Sequence, residues 1–189
     1  MRSLNLLLVA LFLGASLAGT AQCGLFFSEY AEGSSNNKYL EIYNPTSSVI
    51  DLTGYAYPST SNAPTVPGQY EFWNEFDEGA TIDPGGVYVI AHPSADASIL
   101  AFANETHTYL SNGDDGYGLV QGTEDAFTIV DVIGNWDADP GSGWEVAGEN
   151  NATKDHTLVR KSTVTQGVGY DWALAAGTNA DDSPVSYTH

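Results

Sequence analysis

Positive charge is scarce in this chain. Lys and Arg number 5 against 24 Asp and Glu in 189 residues, for a formal net charge of −19 at pH 7. A chain of that sign repels a phosphate backbone, which argues against direct nucleic-acid binding. Cysteine is scarcer still. Cys23 stands alone, so no internal disulfide can form and a hydrophobic core has to hold the fold. The longest apolar run, residues 4–13, falls well short of the ~20 residues a membrane-spanning helix needs. Internal repeats, heptads and charged tracts are also missing.

That apolar run follows Arg2 and leads into small residues, with Gly19 and Ala21 in a small-x-small pattern. Residues 1–23 therefore read as a secretory signal peptide, and the expected location is secreted and extracellular. A lipid anchor at Cys23 is the alternative. Gln22 argues against it, since a small residue normally precedes a lipidated cysteine. Cleavage leaves Lys38, Lys154, Arg160 and Lys161 as the cations of a mature chain of about 165 residues, enough for one domain. The expected domain covers 24–183, with a short tail at 184–189 that raises the question of truncation.

Short apolar and aromatic runs recur between clusters of Gly, Pro, Asn, Asp and Ser, the spacing of an all-β chain. Strands are predicted at 25–31, 39–44, 50–57, 69–76, 87–92, 117–121, 126–133 and 157–161, enough for a two-sheet sandwich. In the second, Leu40 and Ile42 share one face while Tyr39, Glu41 and Tyr43 share the other, as in a half-buried antiparallel strand. Turns are marked by Asp83-Pro84-Gly85-Gly86, by residues 112–116 and by Asp139-Pro140-Gly141. One short helix is predicted over 95–103, capped by Ser94 and bridging the two sheets. Residues 58–68 read as an insertion rich in Pro and Ser.

Five ordered blocks carry a resemblance: "LFFSEYAEGSSNNKYLEIYNPTSSVIDLTGY", "IDPGGVYVIAHPSADASILAFA", "SNGDDGYGLV", "VDVIGNWDADPGSGWEVAG" and "ATKDHTLVRK". Over residues 25–182 the chain resembles a lamin-tail domain of the secreted, microbial type. The resemblance implies an immunoglobulin-like β-sandwich, and a module found in exported proteins beside nuclease or other hydrolase domains but not itself known as an enzyme. Nuclear relatives engage chromatin through basic surfaces. Here only Lys154, Arg160 and Lys161 cluster, so that role does not carry over. The chain also departs from the family after "DWALAAGTNADDS": a closing apolar strand is expected, and only Pro184 to His189 follow.

Catalytic signals are weak. His92, His107, His156 and His189 show no metal-ligand spacing, and His156 within "KDHTLVRK" is the best placed of them. Asp139-Pro140-Gly141-Ser142-Gly143 lacks the first glycine of a nucleophile elbow. No catalytic residue and no bound cofactor is therefore expected. Calcium is the sharper candidate. Asn135, Asp137 and Asp139 alternate in a Gly-rich turn, which gathers oxygen ligands around a hard cation, although Pro140 replaces the EF-hand glycine and Glu145 falls one residue short. Asp114 and Asp115, with Asn112, form a second candidate set. The competing reading at both places is a turn whose Asx side chains bond their own backbone.

Asn104-Glu105-Thr106 and Asn151-Ala152-Thr153 are glycosylation sequons if the source is eukaryotic, and they predict exposed loops. Core packing accounts for most of Trp73, Trp136, Trp144 and Trp172; the pair Trp136 and Trp144, which flanks a polar turn, is the candidate for partial exposure and a recognition role.

The expected function is a secreted, non-catalytic binding or attachment module, accessory to an exported nuclease or other hydrolase in one version. Its partner would be an extracellular protein or polysaccharide, or a catalytic domain on the same or another chain. The alternatives are a calcium-stabilised adhesion or matrix protein and, weakest, a metal-dependent nuclease. One puzzle remains in "EYAEGSSNNKYLEIYN", read as the first hairpin with its loop at 33–38. Either phase of its first strand puts Ser28 or Glu29 inside, and pairing Glu29 with Glu41 sets two like charges across the ladder unless Lys38, a shared proton or a cation intervenes.

Overall fold

The computed structural model describes residues 24–188; the signal peptide expected over 1–23, with Cys23, and also His189 lie outside the described residues. Along the chain the elements are β1 (Phe26–Glu32), β2 (Lys38–Tyr43), β3 (Ile50–Asp51), β4 (Tyr55–Ala56), β5 (Ser59–Thr60), β6 (Thr81–Ile82), β7 (Val87–Ala91), α1 (Ala97–Leu100), β8 (Glu105–Thr106), β9 (Gly116–Thr123), β10 (Ala126–Ile133), β11 (Thr157–Arg160), α2 (Trp172–Ala176) and β12 (Val185–Thr188). One six-stranded sheet runs β12-β11-β1-β2-β7-β8, and a four-stranded sheet runs β10-β9-β4 with β5 also on β9. Phe27, Tyr30, Leu40, Ile42 and Ile90 from the first sheet share a core with Tyr117, Leu119 and Ile133 from the second. The architecture is the all-β two-sheet sandwich that the strand pattern predicts, in the immunoglobulin-like form that the resemblance implies.

A β-bulge resolves the phase puzzle of the first hairpin. Pairing of β1 with β2 slips between Phe27 and Glu29, so Ser28 is the extra residue. Phe27 and Tyr30 consequently both face the core, while Ser28 and Glu29 stay half-buried on the other side. Glu29 does sit opposite Glu41. What offsets the two charges is not Lys38, whose ammonium lies 3.5 Å from Glu32. Each carboxylate instead has its own donor: the Ser28 hydroxyl donates to Glu41 at 2.7 Å and the Tyr39 phenol to Glu29 at 2.6 Å. Burial pushes the Glu41 carboxyl up, the Ser28 hydroxyl opposes this, and the charge of Glu29 adds to it.

A second bulge, between Ile129 and Asp131 in β10, changes which residues face inward. Ile129 packs in an outer aromatic cluster, whereas Ile133 lies in the main core. Asp131, fully buried, reaches the other sheet: it accepts the Phe27 N–H at 3.0 Å and the Arg160 guanidinium at 3.2 Å. Phe27 lies beyond the β1–β11 pairing, which stops at Glu29, and its carbonyl accepts from Arg160 Nε at 3.3 Å. Asp131 and Arg160 thereby satisfy a backbone position that the ladder leaves open.

Several expectations change. Residues 50–57 split into β3 and β4 around a 3-10 turn, and 69–76 make only isolated bridges at Phe72 and Glu75. The helix at 95–103 shortens to α1, capped by Asp96 rather than Ser94 because Asp96 accepts the Ser98 N–H at 2.9 Å. A second helix, α2, is capped by Asp171. Residues 185–188, read as part of a tail, form β12 and pair with β11, so a closing strand is present.

Candidate functional site

At the end of the sandwich where β2 begins and β7 ends, the loops enclose a pocket of about 570 Å³. The stretch read as an insertion supplies its floor. Ser59 and Thr60 pair with Tyr117 and Gly116 of β9, while backbone bonds between Ser59 and Phe72 fix the segment that carries Phe72 and Asn74. The loop after β8 brings His107 and Tyr109, the end of β7 brings His92, and the approach to β9 brings Asp115.

Most polar groups here are held in place by the fold. Lys38 is buried between Glu32, at 3.5 Å, and the Asn112 carbonyl oxygen, at 2.6 Å. Asn74 donates to the Tyr57 carbonyl at 3.0 Å and to the Ser59 hydroxyl at 3.1 Å, which leaves its Oδ1 for another donor. His92 accepts the Ser94 N–H on Nδ1, so in the neutral ring Nε2 carries the proton. The His107 ring meets Tyr57 and Tyr109 edge-on, and burial pushes its pKa down toward a neutral imidazole. Burial pushes the Asp115 carboxyl up to about 6 even though it accepts the Asn62 N–H. Thr60 carries a buried hydroxyl with no hydrogen-bond partner.

Two aromatic rings line this pocket in the open: Phe72 is 54% and Tyr109 82% exposed. They are not the aromatics nominated from sequence. Trp136 and Trp144 are buried, so core packing and not partial exposure describes this pair. Each lies against a glycine where a side chain would collide: a Cβ on Gly118 would stand 2.6 Å from Trp136 Cζ2, and one on Gly134, at φ 67°, would stand 2.4 Å from Trp144 Nε1. The Trp136 and Trp144 indoles donate to the carbonyls of Gly116 and Asp115. Trp73 belongs to a tilted cluster with Tyr70 and Phe127 rather than to a flat platform.

The residues nominated for calcium lie in separate turns. Asn135 accepts the Asp137 N–H at 2.9 Å and Asp139 accepts the Gly141 N–H at 2.7 Å, both Asx turns. Asp114 and Asp115 face the loop at Asn62, and Asp115 borders the pocket. Among the described residues no three His, Cys, Asp or Glu side chains gather where they could hold a metal ion. Asn104 and Asn151 are exposed, but neither sequon is wholly an exposed loop: Glu105 and Thr106 form β8 with Glu105 buried, and Thr153 is buried, bonded to the Gly113 carbonyl. His156 stands at the start of β11 with its Nδ1 at the Lys154 carbonyl, away from the pocket. Among the described residues no helix is long and apolar enough to cross a membrane.

The pocket was not legible in the sequence because its residues come from segments spread between 36 and 115 with no shared spacing. The family model of the Lamin Tail Domain matches residues 18–135, a stretch that includes every residue of the pocket. No curated protein matches the chain.

Proposed function

Because the chain belongs to the Lamin Tail Domain family, we propose that it is a secreted, non-catalytic binding module that attaches to material outside the cell, alone or as the accessory of an exported nuclease or other hydrolase. The observation that carries this reading is the pocket, in which held polar groups lie beside exposed Phe72 and Tyr109. Its histidines are fixed in place, as recognition requires: His92 accepts a backbone N–H on Nδ1, and the His107 ring meets Tyr57 and Tyr109 edge-on. Exposed aromatic rings at a concave polar site are what an adhesive contact uses, since they contribute area at little entropic cost.

The net charge of −19 directs the module away from nucleic acid and toward neutral or cationic material. The test is adsorption. The secreted chain is mixed with isolated surface polymer from the cells that make it, and the unbound fraction is measured after sedimentation. The chain is expected to sediment with the polymer, and the double variant Phe72→Ala/Tyr109→Ala is expected to stay in solution. Equal retention of both, or no retention of either, contradicts the reading.

A further inference from the structure

Three properties of the pocket narrow its ligand, given that the module binds through it as proposed above. The first is charge. Its cation, Lys38, is already engaged by Glu32 and Asn112, and the carboxylate Asp115 faces the same space. A phosphate or a carboxylate would find no free positive group there, and would approach against the field of an acidic chain.

The second is the mixture of donors and acceptors. Asn74 offers Oδ1 and Asp115 a carboxylate as acceptors; His92 offers Nε2–H, and Asn112, whose Oδ1 is taken by Lys38, offers its NH₂. A ligand meeting both kinds within one cavity needs groups that donate and accept, and hydroxyl groups do both. An extended peptide is a poor fit. The backbone of Ser59 is already paired with Phe72 on one side, and Ser59 and Thr60 pair with β9 on the other, so an added strand finds the floor at Ser59 taken.

The third is the pair of open rings. Phe72 and Tyr109 present exposed apolar faces in a site whose remaining lining, apart from Leu110, is of polar side chains. A sugar ring carries a face of C–H groups and a rim of hydroxyls, and therefore matches both at once. The volume of about 570 Å³ lies within the range of small-ligand sites and holds more than one sugar ring.

We propose that this pocket binds a neutral saccharide, a short stretch of an uncharged extracellular glycan, with its C–H faces against Phe72 and Tyr109 and its hydroxyls bonded to Asn74, His92 and Asp115. The module is then a glycan-attachment domain.

The test is calorimetric titration of the secreted chain with hexasaccharides of β-linked glucose, N-acetylglucosamine, mannose and galactose, with hexagalacturonate as the charged comparison. At least one neutral hexasaccharide is expected to bind with a Kd of about 1 mM or tighter. Tyr109→Ala and Phe72→Ala each weaken it about tenfold, Tyr109→Trp preserves it, and hexagalacturonate binds more weakly. Both rings are exposed, so the variants keep the fold, and an unchanged melting temperature verifies this. Binding of hexagalacturonate in preference to every neutral sugar, or sugar binding indifferent to both alanine variants, overturns the proposal. If no hexasaccharide binds while pocket-dependent adsorption to surface polymer persists, the saccharide assignment falls and the binding-module reading stands; if adsorption fails too, both fall.

Discussion

Replacing Arg160 with Met strands a carboxylate between the two sheets. Asp131 has no exposed surface; it accepts the Phe27 N–H at 3.0 Å, the Val168 N–H at 3.2 Å and Arg160 Nη2 at 3.2 Å on both oxygens. Burial pushes its pKa up, and the Arg160 charge is the largest influence holding it down. Arg160→Met removes that charge and also the donors to the Phe27 and Ala175 carbonyls. Breaking a buried pair from one side costs about 3–5 kcal/mol, which for a domain of this size lowers the melting temperature by roughly 10 °C. The loss depends on pH in a fixed direction. In the variant, folded Asp131 keeps a proton that the unfolded chain releases near pH 4, so stability falls as pH rises above that point and the deficit is larger at pH 7 than at pH 4. Urea unfolding followed by the emission of buried Trp136 and Trp144 measures it. The double variant Asp131→Leu/Arg160→Met should recover only part of the loss, because it removes the stranded charge but leaves the Phe27 and Val168 N–H groups without their acceptor. A cost below about 1 kcal/mol that is flat with pH refutes the claim that this pair joins the sheets.

Asp115→Asn should stabilise the fold at pH 8. Raising the carboxyl from 3.8 to about 6 corresponds to ~3 kcal/mol, and its partial exposure reduces this to about 1. Folded Asp115 holds a proton between pH 4 and 6 that the unfolded chain has lost, so the wild type weakens across that window; the gain from Asn should vanish at pH 4, and a gain that is constant with pH contradicts it. Thr60→Val should be neutral or stabilise by about 1 kcal/mol in thermal unfolding, because it removes a buried hydroxyl that has no partner; a loss above that size means the hydroxyl is bonded in solution. Calcium or a chelator should leave the melting temperature unchanged, since Asn135 and Asp139 bond their own turns; a rise of several degrees with calcium would restore the cation reading.

The long strands were legible because alternation is a local property: Leu40 and Ile42 point inward wherever the strand sits. Elements of two residues, such as β5 or β8, have no periodicity to read and exist only through their partners in β9 and β7. The bulge at Ser28 was visible as a conflict, since no regular strand could bury Phe27 and Tyr30 while keeping Glu29 out, yet its position depends on pairing with β2. The burial of Trp136 and Trp144 has a tertiary cause. Their space is made by Gly118 and Gly134, and a glycine inside a strand-like run was the available signal of such an approach. The closing strand was missed because Val185–Thr188 is not an apolar run; its place is fixed by pairing with β11. The pocket depends on loops converging from distant segments, and composition says nothing about where loops meet.

The claim that this family member recognises its target through the pocket at the end of the sandwich is tested most directly by amide chemical shifts. The ¹⁵N-labelled chain is titrated with soluble fragments of the surface polymer from the cells that make it. The account predicts shifts at Thr60, Phe72, Asn74, His92, His107 and Tyr109, the lining of the pocket. Shifts confined to the Glu29–Glu41 face of the first sheet or to the Tyr70–Trp73–Phe127 cluster, with the pocket amides unmoved, would contradict it.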